Sequence, residues 1–437
     1  MAEQKFKRLL SSGFSIAVCV GFIIGVGIMR MPGEIAATIT NPVVYILLWI
    51  VGSIFTLIAA GVVAELIAAT PKSGGPYVLI AHSWGRYPGF FIGWVNVAAG
   101  TASAALKTVV LMEFISMVVP SVSKLMLPGA LLVTTGFAAF QLGGVRLGAN
   151  LHKTMVAIVG FLMMLLIAAL FLGSFRGVSP GLEAVLSPDG EGAGFAGLGL
   201  VISAIIFTFA GWDAPSFFGG EIKGSGRATA LGVLRGTLIV SGLYLLLNFA
   251  LVTSVPLASL RGKELAVSEA TRILYGTETP IILLAIFILL IHQNMNYMLV
   301  SRTLYALSVD GLGTKKAASI SNKGTPTGGV VGTWCLIVVL ILSGGFKFLL
   351  SIASMFLMVM SVMEVLGVFR LRQKEPDIER PYRAWGFPIT GYASLLGYLI
   401  LMLTVGIAEP FSALYVIAIL LISIPVYLLM DRKKKSI

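Results

Sequence analysis

Charge is scarce in this chain. Asp, Glu, Lys and Arg make up 11% of 437 residues, where a soluble domain carries about 25%. The side chains that normally cover a water-facing surface are missing. Hydrophobic residues reach 57% and mean hydropathy is +0.97, more apolar surface than a soluble chain of this length hides, so lipid is the solvent that fits. Cysteine is nearly absent. Cys19 and Cys335 both lie in apolar runs, which excludes a disulfide framework and a zinc spacing. Histidine is limited to His82, His152 and His292, scattered too widely to argue a metal centre. The phosphate-cradling pattern GxxxxGK[ST] does not occur, so nothing supports nucleotide drive. No enzyme chemistry, cofactor or metal is expected.

The formal charge of +12 would suggest nucleic acid in a soluble protein. Here Lys and Arg sit between apolar segments, where they act as topology signals, and no nucleic-acid partner is expected. Lys5, Lys7 and Arg8 before an apolar stretch resemble a signal peptide, but the stretch runs past Gly27 and many more follow, so it reads as a retained first span. A span needs roughly 20 apolar residues. Twelve segments are predicted: 14–36, 43–69, 88–119, 127–141, 151–174, 195–219, 231–256, 279–308, 327–345, 347–369, 390–407 and 410–430. The fourth is short, and the ninth and tenth nearly fuse at Gly344-Gly345. With the N-terminus inside, 23 of the 31 Lys and Arg fall on inner segments and six on outer ones; Arg30 and Lys107 fall within spans. That bias places both termini in the cytoplasm. Outer loops carry acids instead, Glu183, Asp189 and Glu191, then Glu264, Glu269 and Glu278. No soluble domain or linker is visible, so residues 1–437 form one membrane domain. The bilayer is its medium, and no obligate protein partner is evident.

Two spans are interrupted by glycine. Span 1 reads Gly21-Phe-Ile-Ile-Gly25-Val26-Gly27 and continues to Pro32-Gly33; span 6 reads Phe207-Thr208-Phe209-Ala210-Gly211-Trp212-Asp213. They open two blocks of five spans, 14–174 and 195–369, with the last two spans over 390–430. Matched interruptions in two halves point to a transporter site built from an inverted repeat. Unwound backbone in lipid has lost its partners and is costly unless buried or ligand-bound. A helix resuming after Gly25-Val26-Gly27 offers free N–H groups and a positive dipole end, suited to a carboxylate. A half-helix ending near Phe207–Ala210 offers carbonyls, suited to an ammonium. One zwitterion satisfies both.

At these residues the sequence resembles the amino acid–polyamine–organocation (APC) superfamily of transporters. Span 1 fits GxxxGxGI…P as Gly21, Gly25, Gly27, Ile28 and Pro32. Further matches are Ala64-Glu65-Leu66…Pro71-Lys72-Ser73-Gly74-Gly75-Pro76-Tyr77, Phe209-Ala210-Gly211-Trp212-Asp213…Glu221-Ile222-Lys223, Ser301-Arg302…Tyr305…Asp310-Gly311, and Arg370…Arg372…Pro376…Arg380-Pro381-Tyr382-Arg383. One such motif is weak; five in order are specific. The resemblance implies an all-α membrane protein with the LeuT-type five-plus-five inverted repeat and discontinuous helices 1 and 6. It implies an amino acid permease of the cell membrane working by alternating access, as antiporter or symporter. It implies substrate carboxylate on the N–H groups of Val26, Gly27 and Ile28 beside Gly25, and substrate amine on the carbonyls of Ile23, Phe207 and Ala210 beside Gly211. Phe209 would lie over the substrate as an outer gate.

Charges inside spans are functional candidates by default. Asp213 follows the span 6 break, as a protonatable gate or a helix-start cap. Glu65 and Glu364 are expected in structural ion pairs, the latter near Arg370, and Arg30 is expected to reach the headgroups. Lys107 falls near the bilayer middle as a gating or coupling candidate. Some relatives carry a lysine in span 5 in place of sodium; that place falls near Val159 or Gly160, so the coupling ion, proton or sodium, stays open. Carbonyls near Gly21 and Ile24 with Ser301 would supply sodium ligands. The run His292-Gln293-Asn294-Met295-Asn296 is expected to bond between helices. Without an evident carboxylate other than Asp213 for a cationic side chain, the substrate is expected to be a neutral amino acid. A polyamine or cationic amino acid, or a sensor that binds without transport, is the alternative.

Overall fold

The computed structural model describes residues 6–174, 195–224, 226–263, 265–343, 346–408 and 410–435. Lys5, Arg176, Glu183, Asp189, Glu191, Glu264 and the Gly344-Gly345 junction lie outside the described residues. The described chain is α-helical, and its only β-pairing is an isolated bridge between Leu10 and Ile222. The helices are α1 (Ser12–Ile23), α2 (Gly27–Thr38), α3 (Pro42–Ala69), α4 (Pro76–Trp84), α5 (Arg86–Val118), α6 (Met126–Leu142), α7 (Val145–Ser174) and α8 (Phe195–Thr208). There follow α9 (Gly226–Ser254), α10 (Ala266–Tyr275), α11 (Thr279–Val309), α12 (Thr327–Ser343), α13 (Phe346–Lys374), α14 (Ile389–Ala408) and α15 (Pro410–Lys435).

Helix occupies each of the twelve apolar segments. Among the described residues seven helices are long and apolar enough to cross a bilayer, and the bent pair α1 and α2 makes an eighth. The bundle is therefore a multi-pass membrane protein. Its periphery carries side chains that only lipid accommodates, such as Leu132 at 75% exposure and Ile407 at 82%. Sequence periodicity passed over α4 and α10, short helices between the longer ones.

Each start and stop has a local cause. Asn41 caps α3, its Oδ1 accepting from the N–H groups of Val43 (2.9 Å) and Val44 (3.1 Å), with Pro42 at the first helical position, where no N–H is needed. Asn41→Ala should cost about 0.5–2 kcal/mol, read as a lowered melting temperature of the purified protein with its helical content kept. An unchanged melt would mean that the cap contributes nothing.

α11 is the central post: 78% of its apolar window is buried, against 22% for the windows of the α6 and α14 segments. That burial lets α11 carry the polar run. Gln293 donates to Thr108 Oγ1 of α5 (2.6 Å), and Asn294 accepts from Gln141 of α6 (2.6 Å) and donates to the Gly148 carbonyl of α7 (3.3 Å). These are the interhelical bonds expected from the sequence. α1 packs on α9 through small residues. A Cβ on Gly236 would stand 2.5 Å from Cys19 Cβ, so glycine is what permits the approach. Ser15 Oγ then donates to the Thr229 carbonyl at 3.2 Å.

At the end of the bundle nearest the N-terminus, charged residues form closed pairs. Glu65 is fully buried and accepts two bonds from Arg372 (2.8 and 2.7 Å) and one from the Ala384 N–H (2.7 Å), with Arg380 Nε at 3.3 Å. This is the expected structural role. Arg302, one of the 23 cations counted on inner segments, lies inside α11 at 2% exposure and pairs with Glu221. Glu364 departs from expectation. It makes no ion pair among the described residues, its Oε1 has no hydrogen-bond partner, and Arg370 lies over the Trp84 ring instead. The helical turn between Glu364 and Arg370 points them in different directions. Arg30 pairs with Glu34 one turn on, at 2.7 Å.

Candidate functional site

The two glycine-rich interruptions unwind the chain, and they touch. α1 stops at Ile23 because Ile24 adopts extended backbone (ψ 92°). α2 restarts at Gly27, and the two axes differ by 42°. Val26 gives α2 no side-chain cap; the Met29 N–H donates to the Val26 carbonyl (3.0 Å), and the N–H groups of Val26, Gly27 and Ile28 precede the first helical acceptor. α8 ends at Thr208; residues 209–213 turn, and a 3₁₀ segment follows over Ala214–Phe218. Gly211 has φ +103°, backbone that disfavours side chains. A Cβ there would meet the Phe22 ring and stand 3.2 Å from the Phe22 carbonyl oxygen. A Cβ on Gly27 would meet Thr208 Cγ2 at 3.8 Å. The interruptions, about 185 residues apart in sequence, therefore form one locus.

The span 1 interruption holds Ile23, Gly25, Val26, Gly27 and Ile28; the span 6 interruption holds Phe207, Phe209, Ala210 and Gly211. Several of their backbone groups already have partners. The Ile23 carbonyl accepts from the Tyr244 hydroxyl of α9 (2.9 Å), and the Phe207 carbonyl accepts from the Ala210 N–H (3.0 Å). Phe209 is fully buried against Tyr244 (centroids 5.0 Å) and Trp49 (6.3 Å). Phe207 is 38% exposed. A cavity of about 40 Å³ beside the span 6 turn is lined by Ala210, Gly211, Asp213, Ser361 and Tyr398, among others. Its lining comes from the span 6 turn, α13 and α14, on the side of the turn away from span 1.

The sequence pointed to the polar run on α11 but not to what its first member does. His292 Nε2 donates to the Ile24 carbonyl at 3.1 Å, bonding an unwound group of the break to the central post. Its ring stacks on Phe22 (centroids 5.4 Å, interplanar angle 23°), and a Cβ on Gly25 would meet its Cε1 at 3.2 Å. A side chain at 25 would press on this ring by a few tenths of an ångström. Lys107 of α5 stands over the other contact of Phe22, its Nζ 5.5 Å from the ring centroid. Sequence reasoning missed Phe22, Tyr244 and Trp49. One signal was present: Tyr244 lies mid-span, away from the interfacial belt where such rings normally collect.

Asp213 is buried at the span 6 turn and lines the cavity. It provides no helix-start cap and makes no ion pair among the described residues. Ser301 is not brought to the breaks. Its hydroxyl donates to the Met298 carbonyl in its own helix (3.2 Å), and it lies nine residues past His292, about 13.5 Å along α11. Below the break, α1 meets α11 through Val18, Met295, Met298 and Leu299, apolar side chains without oxygen donors. The α7 side chains facing Gly21 are Val156 and His152, about one turn before the place expected from sequence. His152 Nε2 donates to the Ala17 carbonyl at 3.0 Å.

A family model described as amino acid permease matches residues 12–425. The serine/threonine exchanger SteT of Bacillus subtilis (strain 168) is 23% identical, over 99% of this chain and 99% of its own length. The b(0,+)-type amino acid transporter 1 of Mus musculus is 25% identical, over 98% of this chain and 88% of its own. The branched-chain amino acid permease BcaP of Lactococcus lactis subsp. cremoris (strain MG1363) is 23% identical, over 100% of this chain and 97% of its own.

Proposed function

Because this chain belongs to the amino acid permease family, we propose that it is a secondary amino acid transporter working by alternating access, with neutral amino acids as its substrates. The observation that carries this reading is the meeting of the two breaks: unwound backbone at membrane depth is tolerated where it is buried in protein or lines a cavity. Substrate carboxylate would take the uncapped N–H groups at Val26, Gly27 and Ile28. Substrate ammonium would take the Ala210 carbonyl and the carbonyls of Ile23 and Phe207, the last two sharing them with Tyr244 and Ala210.

The twelve helical segments then act as twelve spans. Residues 14–174 and 195–369 form the inverted repeats, and 390–430 add two helices. Spans 1, 2, 6 and 7 rock as a bundle against the rest. Phe209, held by Trp49 and Tyr244, closes one side. On the other side Leu10 donates to the Glu221 carbonyl (3.0 Å), Lys223 donates back to Leu10 (2.8 Å), and Arg8 reaches the Gly224 carbonyl (2.8 Å). That clasp ties the N-terminal segment to the tail of span 6 and must open for release. The charge bias supports both termini in the cytoplasm and residence in the cell membrane. The coupling ion is a proton or sodium. The unpaired Asp213 favours a second reading, a cationic amino acid or polyamine as substrate.

Proteoliposomes holding only this purified chain test the proposal. Labelled neutral amino acid outside should exchange for unlabelled inside, with no ATP and no protein partner. Screens with cationic amino acids and polyamines, in sodium, potassium and a pH gradient, set substrate class and ion. A protein that amino acids stabilise against heat but that shows no uptake or exchange would be a sensor and not a transporter.

A further inference from the structure

We propose that Lys107 is the receptor for a substrate carboxylate, an assignment that rests on the transport reading above. Lys107 sits within α5, half-buried at membrane depth, and makes no hydrogen bond or ion pair among the described residues. Cations packed deepest in the bundle have carboxylates: Arg302 has Glu221, and Arg372 and Arg380 have Glu65. A cation held in a bilayer without an anion is costly, and such residues face a site or a pathway.

Its position gives the chemistry. The ammonium stands 5.5 Å from the Phe22 ring centroid. Phe22 in turn touches both breaks, stacking on His292, which bonds Ile24, and abutting Gly211. Val26, at the start of α2, packs against the cluster holding Leu111, one turn along α5 from Lys107. Lys107 therefore lies about one turn along α5 from side chains that pack with the start of α2. Residues 103–111 of α5, the span 1 break and the run 292–296 contain no Asp or Glu. The one cation and the open helix start both call for an anion that the protein does not supply there. A carboxylate satisfies both. It has two sources, the α-carboxylate of any amino acid or the side chain of an acidic one.

Lys107→Met in proteoliposomes decides between them. Losing one charge-assisted contact should raise KM roughly 10- to 100-fold for each substrate whose carboxylate Lys107 holds, and Lys107→Arg should recover most of that loss. If the α-carboxylate is held, leucine and glutamate lose affinity alike; if the side chain is held, glutamate loses it and leucine does not. Inhibition by 3-methylbutylamine, which is leucine without its carboxylate, should not weaken in either case. The assignment is overturned if the KM of leucine and of glutamate is unchanged, if Arg is as poor as Met, or if inhibition by the amine weakens equally. Should Lys107→Met fail to fold, the wild-type protein decides: leucinamide inhibiting as well as leucine, together with glutamine inhibiting as well as glutamate, overturns the proposal. Wild-type protein that moves no amino acid sinks the transport reading itself; flux that is indifferent to Lys107 sinks only this assignment.

Discussion

Glu221→Ala is expected to cost about 3–5 kcal/mol of stability. Glu221 and Arg302 are 1% and 2% exposed, and two parallel bonds join them, Nε to Oε1 at 2.6 Å and Nη2 to Oε2 at 2.8 Å. Arg302 also donates to the Met298 carbonyl (2.8 Å), and its guanidinium lies 4.4 Å from the Phe218 ring centroid. Without the carboxylate, a buried cation would keep one carbonyl and an aromatic face as its partners. The loss reflects an uncompensated charge more than a strong pair. Denaturation of the purified protein in detergent should therefore show a large deficit in Glu221→Ala and a much smaller one when Arg302→Met is added. A single variant as stable as wild type would show that the pair holds nothing together. The clasp to Leu10 uses the Glu221 backbone carbonyl, which Glu221→Ala keeps, so the deficit reports the ion pair.

Gly211→Ala should reduce exchange per folded molecule by roughly 5- to 30-fold, the rate equivalent of about 1–2 kcal/mol of left-handed backbone strain. The added Cβ would also press on the Phe22 ring and on the Phe22 carbonyl at 3.2 Å. Phe22 carries both His292 and Lys107, so the disturbance reaches the span 1 side of the locus. Gly242→Ala is the control. Its Cβ would meet nothing within 4 Å, it lies inside α9, and its φ is not left-handed. Exchange assays on both variants, normalised to monodisperse protein, check this. A Gly242 variant as impaired as the Gly211 variant would mean that strain at the contact is not what limits the cycle.

Much of the fold could be read directly. Helix boundaries followed from runs of apolar residues and from local punctuation such as Asn41-Pro42. The breaks followed from glycine at 25, 27 and 211. The role of Glu65 followed from an acid near the end of an apolar helix with arginines in a later loop. The readings that missed share a cause. Glu364 and Arg370 are close in sequence but diverge around α13, while Arg302, counted with the inner-segment cations, pairs inside the bundle with Glu221, 81 residues away. Ser301 sits on the same helix as His292, yet nine residues along α11 carry it away from the breaks.

Composition and local sequence by themselves determined that the solvent is lipid, where helices lie, and where two of them come undone. Each of these depends on a residue and its near neighbours. Only the tertiary structure decided what faces the unwound backbone: His292 from α11, Tyr244 from α9, Phe22 between them, and Lys107 from α5. In water an apolar stripe marks the inner face of a helix. In lipid the outer face is apolar too, so periodicity no longer distinguishes the side toward the site from the side toward the membrane. The rotation of each helix is then set by packing between segments far apart in the chain, through close approaches such as Gly236 against Cys19 and Gly25 against His292.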